Sequence, residues 1–260
     1  MKTPITYYGG KQSMLPKILP LIPAHSTYIE PFFGGGAVFW AKQPANFEVV
    51  NDLNNRLITF YKVLKYDFED LANKIDETFH SRFQKKESWE EYKSGKEEIK
   101  NEIQMAWAVW TSLILGYGSK LGNSFGFDKK GTQPLRVFNK KAAFTQAYQQ
   151  RLKKVTIESY DAIKVIQTYD SEDTFFYLDP PYVSSNQGHY AGYNLEMFTK
   201  LLDVCANMKG KFILSSYPEE ILHEYRKAYN WNFQDFEMRI SMTAKNDPTR
   251  MKTECLTYNF

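Results

Sequence analysis

Cysteine is scarce in this 260-residue chain: Cys205 and Cys255 are the whole complement. Two thiols are too few for a disulfide framework or a four-thiolate zinc site. The four histidines, His25, His80, His189 and His223, have no spacing that resembles a metal site. No apolar run approaches the roughly 20 residues that a membrane helix needs, and the opening MKTPITYYGGKQ lacks the apolar core of a secretory signal. A cytoplasmic protein is therefore expected. Internal repeats and low-complexity tracts are missing as well. What remains is 43% hydrophobic and 24% charged, enough apolar material for one domain with a sizeable insertion or for two small ones.

Net charge is only +3, which by itself names no partner. Its distribution says more. Residues 116–154 hold nine bases, Lys120, Lys129, Lys130, Arg136, Lys140, Lys141, Arg151, Lys153 and Lys154, against the single acid Asp128. A basic, glycine-punctuated stretch on an otherwise mildly acidic chain suits contact with a phosphate backbone, although a solvated loop with surplus lysine has the same composition.

Short apolar runs at residues 26–30, 47–51, 155–159, 174–179 and 212–217 read as buried strands. Amphipathic segments at 37–43, 53–65 and 195–208 alternate with them, as in a mostly parallel α/β sheet. Residues 233–242 and 253–260 have no helix-length spacer, which predicts an antiparallel hairpin at one side of that sheet. Between the two ends, residues 67–115 have a helical pattern and 116–133 read as loop or hairpin. The expected organisation is a catalytic domain from residues 1–60 and 151–260, with an insert at 61–150.

The run Tyr28-Ile29-Glu30-Pro31-Phe32-Phe33-Gly34-Gly35-Gly36 is a strand entering a glycine-rich turn, where a ligand can lie against bare backbone. Asp52 ends the next strand, 18 residues after Gly34, a spacing suited to holding ribose hydroxyls. A nucleoside-containing cofactor is implied. It is not a dinucleotide, because Phe39 stands where the third glycine of that fingerprint belongs. Gly10-Lys11 is followed by Gln12, so no phosphate-binding P-loop is present either. Glu30 would repel a pyrophosphate and favour a cationic ligand, an environment that fits S-adenosylmethionine.

Asp179-Pro180-Pro181-Tyr182 follows the strand at 174–178. Two prolines end ladder hydrogen bonding and carry the backbone out of the sheet in a rigid, extended form. The Asp179 carboxylate and Pro180 carbonyl are then two acceptors beyond a strand end, matched to the two hydrogens of an exocyclic amine, with Tyr182 as a face for stacking a base.

These elements together resemble the Dam-type DNA adenine-N6 methyltransferases. The motifs stand here as Tyr7-Tyr8-Gly9-Gly10-Lys11, the turn Glu30 to Gly36, Asn51-Asp52-Leu53-Asn54, and Asp179-Pro180-Pro181-Tyr182, in the family's order over nearly the whole chain. The resemblance implies a Rossmann-like class I methyltransferase sheet using S-adenosylmethionine to methylate adenine in duplex DNA, as in restriction-modification. Tyr7 and Lys11 would lie beside the cofactor, Glu30, Phe32, Gly34 and Gly36 along its methionine part, and Asp52 at its ribose. Asp179 would sit between cofactor and target base, with Pro180 and Tyr182 completing the catalytic set. Residues 159–161 would approach the cofactor's adenine. Tyr190 and Tyr193 are candidates for the rim of the base pocket, and the small, polar stretch 184–194 for a mobile segment.

The basic insert would read DNA, with Lys120, Asn123, Ser124 and Lys130 as candidate contacts. Its Phe125-Gly126-Phe127-Asp128 departs from the Dam-type pattern, lacking that family's Asn and Pro. Two alternatives stay open: an RNA or cytosine-N4 amino methyltransferase, since the same two acceptors would serve any exocyclic amine, and a catalytically inactive DNA-binding relative.

Overall fold

A computed structural model describes residues 1–7, 9–183, 192–239 and 251–260. Among these, seven strands form: β1 (Thr27–Glu30), β2 (Phe47–Asn51), β3 (Thr156–Glu158), β4 (Thr174–Leu178), β5 (Lys211–Ser216), β6 (Asn232–Arg239) and β7 (Met251–Tyr258). The helices are α1 (Leu15–Ile18), α2 (Ala37–Ala41), α3 (Asn55–Tyr66), α4 (Phe68–Asp76), α5 (Arg82–Ser94), α6 (Glu102–Leu115), α7 (Thr132–Ala142), α8 (Ala147–Leu152), α9 (Ala162–Tyr169), α10 (Leu195–Asn207) and α11 (Glu220–Ala228).

The strands make one sheet in the order β3-β2-β1-β4-β5-β7-β6. β1 runs parallel to both β2 and β4, and β4 to β5, whereas β7 is antiparallel to β5 and β6. Central β4 reads Thr-Phe-Phe-Tyr-Leu with all five residues buried, as expected for a parallel strand covered on both faces. It stops at Leu178 because Pro180 and Pro181 cannot donate to a ladder. The antiparallel pair expected near the end of the chain forms at the sheet edge; the part of it expected at residues 240–242 lies outside the described residues.

Contacts divide the described chain into two units. The first comprises residues 1–15, 34–42 and 51–159, and the second residues 16–33, 43–50 and 160–260. Residues 61–150, expected as an insert, fall wholly within the first unit, and the segments 1–60 and 151–260 contribute to both.

In the first unit α6 is the central helix. Every residue from Met105 to Leu115 is buried, because an all-round apolar helix needs neighbours on all sides; α3, α4 and α5 supply them. Asn101 caps α6 by accepting from Gln104 N at 2.9 Å, and Ser81 caps α5 by accepting from Gln84 N at 3.1 Å. In the second unit Ile29, Val49, Phe176, Leu178 and Phe212 of the strands pack with α9, α10 and α11 into a single apolar cluster.

Candidate active site

In the first unit the glycine-rich turn is tied at both ends of one peptide. Gly34 N donates to Asp52 Oδ2 at 2.8 Å, and its carbonyl accepts from Tyr61 OH at 2.7 Å. The other Asp52 oxygen accepts from Asn54 N at 2.8 Å, and Asp52 is 2% exposed. Gly34 (φ +47°) and Gly36 (φ +63°) are left-handed, and Gly36 is the N-cap of α2. A Cβ on Gly34 would stand 3.2 Å from the Tyr7 ring, and one on Gly35 3.0 Å from Tyr7 Cβ. Tyr7, Gly34 and Asp52, each expected at the cofactor, are therefore brought together by the fold. Lys11 is buried, and its ammonium donates to the Gly9 carbonyl at 3.0 Å. Ser159 Oγ reaches the Asp52 carbonyl at 3.3 Å.

The second unit gathers acids and phenols. Glu30, buried at the end of β1, accepts from Tyr28 OH at 2.7 Å. Half-buried Asp179 and buried Pro180 follow β4 directly. Tyr177 OH shares a 2.8 Å hydrogen bond with Ser215 Oγ. Tyr182 OH donates to Glu254 of β7, and its ring meets that of Tyr217 edge-on at 4.5 Å. Burial, and then the charge of Asp179, push the phenols of Tyr177 and Tyr182 well above the ordinary tyrosine value. Burial and Glu30 do the same to Tyr28. These phenols stay protonated; those of Tyr28 and Tyr182 donate to Glu30 and Glu254, and the charges of Asp179, Glu30 and Glu254 form a cluster that acts on Tyr177. Such a cluster in a poorly solvated setting favours a cationic ligand. Phe32 is partly buried against the apolar core of this unit.

Glu254 and Tyr28 were not among the residues expected from sequence. The available signal was an acid, Glu254, inside a strand expected at 253–260. Within residues 159–161, Asp161 caps α9 by accepting from Lys164 N at 3.0 Å, and Tyr160 is exposed. Tyr193 is half-buried against the second unit's core, whereas Tyr8, Tyr190 and residues 184–191 lie outside the described residues.

The segment after α6 is a closed loop. Gly116 bridges Phe125, Tyr117 N donates to the Ser124 carbonyl at 2.8 Å, and Asn123 Nδ2 donates to the Tyr117 carbonyl at 3.0 Å. His80 Nε2 donates to the Gly126 carbonyl at 2.9 Å and packs on Phe125, and the Arg82 guanidinium covers the Phe125 and Phe127 rings. Asn123 thus helps to close the loop. Ser124, Lys129 and Lys130 are exposed, and Lys120 is half-buried.

Three of the nine bases counted in this stretch turn inward. Arg136 donates to Ile114 O at 2.6 Å and Ser119 Oγ at 3.0 Å, Lys141 to the carbonyls of Asp76 and Thr78, and Arg151 to Phe39 O at 3.2 Å. The basic surface is accordingly smaller than the sequence count. Among the described residues no cluster of three or more His, Cys, Asp or Glu could hold a metal ion, and no helix is long and apolar enough to cross a membrane.

The chain is 26% identical over 270 residues to the type II methyltransferase M1.LlaDCHI of Lactococcus lactis subsp. cremoris, covering 97% of this chain and 93% of that one. It is 24% identical to the type II methyltransferase M.CviBI of Paramecium bursaria Chlorella virus NC1A, covering 89% and 92%. It is 26% identical to a DNA adenine methylase of Vibrio cholerae, covering 72% and 69%. Residues 7–243 match the D12 class of N6 adenine-specific DNA methyltransferases, and the chain belongs to that family.

Proposed function

We propose that the methyl donor is S-adenosylmethionine, that the acceptor is the N6 amino group of an adenine turned out of duplex DNA, and that the Asp-Pro-Pro-Tyr turn holds that amine during transfer. The observation that carries this reading is that half-buried Asp179 and buried Pro180 leave the end of the central strand β4 together, in the unit that also holds the Tyr28–Glu30 and Tyr182–Glu254 hydrogen bonds. Two acceptors fixed beyond a strand end support an amine acceptor.

The residues present fit this donor. Gly34 and Gly36 are left-handed, and a Cβ at 34 or 35 would crowd Tyr7, so the turn has room only for bare backbone against that ring. Tyr7, Lys11, Gly34, Gly36 and Asp52, all in the first unit, would hold it. When bound, the donor supplies a methyl group activated by a sulfonium.

The protein supplies the rest. An adenine amino nitrogen is a weak nucleophile because its lone pair is shared with the ring. Accepting its two hydrogens at the Asp179 carboxylate and the Pro180 carbonyl localises that pair and stabilises the positive charge that develops on nitrogen. These residues would act by orienting the amine toward the methyl group that the donor would supply, and orientation of this kind contributes much of an acceleration. A stacked base cannot reach such a site, and Tyr182 offers a face to an extruded one. Residues 61–150 would read the DNA, with Lys120, Asn123, Ser124 and Lys130 as contacts to phosphate or base edges.

Incubation with S-adenosylmethionine labelled at the methyl group, followed by nucleoside analysis, tests the reading. Label in N6-methyladenine of duplex DNA is expected; label in RNA or in N4-methylcytosine would overturn it. Sequencing the marks on a plasmid from an expressing host gives the target sequence. Asp179→Ala should abolish transfer and leave DNA affinity within a few fold; appreciable remaining turnover removes Asp179 from its role.

A further inference from the structure

Glu254 is 2% exposed in β7, beside fully buried Cys255 and Leu256. Burying a carboxylate is costly unless it is paired and hydrogen-bonded. Both requirements are met, one by a residue distant in sequence and one by a neighbour on the same strand. One oxygen accepts from Tyr182 OH, and the other lies 3.2 Å from Lys252 Nζ. Lys252 Nζ also reaches Tyr217 OH at 3.4 Å and stands over the Tyr217 ring, 5.2 Å from its centroid. The circuit closes where Tyr217 meets the ring of Tyr182 edge-on.

Tyr182 is thereby fixed twice, at its hydroxyl by Glu254 and along its ring by Tyr217. A tyrosine has two side-chain torsions, and these two restraints determine both. The proton matters as much as the position. A phenol has one hydrogen to give, and two carboxylates, Asp179 and Glu254, both act on this one. Donation to Glu254 keeps the hydrogen away from Asp179, three residues before Tyr182 in the chain.

We propose that Glu254, its charge balanced by Lys252, is a positioning residue that fixes the Tyr182 ring and draws the phenol hydrogen away from Asp179, reserving that carboxylate for the amine of the target base. The proposal rests on the reading of the Asp-Pro-Pro-Tyr turn as the base-holding element. Without Glu254 the phenol would turn its hydrogen to the remaining carboxylate and compete there with substrate.

The test is a double-mutant cycle in the full-length enzyme, with duplex DNA carrying its methylation site and S-adenosylmethionine. Melting temperature serves as the check on folding. Glu254→Ala should lower kcat by about 10- to 100-fold, the range expected for losing a charge-assisted hydrogen bond. KM for S-adenosylmethionine should stay within threefold. Glu254→Gln, which retains an acceptor for the phenol, should recover most of the loss. Adding Tyr182→Phe to Glu254→Ala should cost nothing more and restore part of the rate, because the competing hydrogen is gone.

A silent Glu254→Ala, or losses that simply multiply in the double variant, overturns the proposal while leaving the base-holding reading intact. Tyr182→Ala separates the two ideas: undiminished turnover there removes Tyr182 as the base platform altogether. Should both Glu254 variants fail to fold, Tyr182→Phe alone decides, since it deletes one oxygen from a half-buried ring. Wild-type kcat in that variant overturns the proposal, and a fall in kcat at constant KM for S-adenosylmethionine supports it.

Discussion

At the scale of single residues, sequence spacing suggested one task for Asp52, holding a ribose; in the fold its carboxylate accepts from the backbone N–H of Gly34 and of Asn54, and so ties the glycine-rich turn to the end of β2. Asp52→Asn replaces one acceptor by a donor and sets an NH2 against a buried N–H. We expect a loss of about 1–3 kcal/mol in denaturant unfolding with no cofactor present, as well as weaker cofactor binding by calorimetry. Full stability with reduced binding would show that the tie does not hold the turn. The positions of Asp52 and Asp179 just beyond strand ends were legible, because each follows a short apolar run. Glu254 was not, since an acid within a strand gives no sign of which distant group it answers.

At the scale of elements, the sequence located the strands and the central helix well, because continuous burial leaves continuous apolar runs. It placed a loop at 116–133, of which Thr132 and Gln133 instead open α7, but not what shapes it. Asp128 accepts from Lys130 N at 2.7 Å, Thr132 N at 3.1 Å, Thr132 Oγ1 at 2.9 Å and Gln133 N at 2.7 Å, and so starts α7. Desolvation, the largest single influence, raises its pKa, but these hydrogen bonds together outweigh it and bring the carboxyl down to about 2. A depressed acid contributes stability above its unfolded value of 3.8, lost as pH falls toward 2. Asp128→Ala should speed amide hydrogen exchange at Lys130, Thr132 and Gln133 at neutral pH; unchanged protection would mean that another contact orders this turn.

The bases on this element also differ in use, since Arg136 and Lys141 are spent on carbonyls while Lys129 and Lys130 are exposed. Charge counting cannot make that distinction, because a lysine that caps a helix and one that meets phosphate are the same letter. Lys129→Ala with Lys130→Ala should weaken DNA binding and reduce the slope of log affinity against log salt by about 1–2. An unchanged slope would exclude both from phosphate contact.

At the scale of the whole molecule, buried titratable groups combine into a stability profile whose sign can be worked out. Lys85 lies on the inward face of α5 with Ser88 and Tyr92, 5% exposed, its ammonium over the Trp89 ring. Burial lowers its pKa from 10.5 to about 8. Between those values the unfolded chain binds a proton that the native chain has released, so this group makes stability rise with pH. Cys255 is pushed by burial from 9.0 up to about 12, and Tyr28, Tyr177 and Tyr182 are held well above 10.0. These act in the opposite sense. Their contribution is complete below the unfolded values and is lost as pH climbs past them, each group at most about 1.4 kcal/mol per pH unit.

The unfolding free energy should therefore rise from pH 8, turn over between pH 9 and 10, and then fall steeply. Lys85→Met separates the limbs. It should stabilise the enzyme at pH 7 by roughly 2–3 kcal/mol, the cost of keeping an ammonium where burial favours the amine. That gain should shrink to nothing by about pH 10.5, and the descending limb should be unaltered. A gain equal at pH 7 and pH 10 would trace the stabilisation to packing of the methionine instead of removal of the charge.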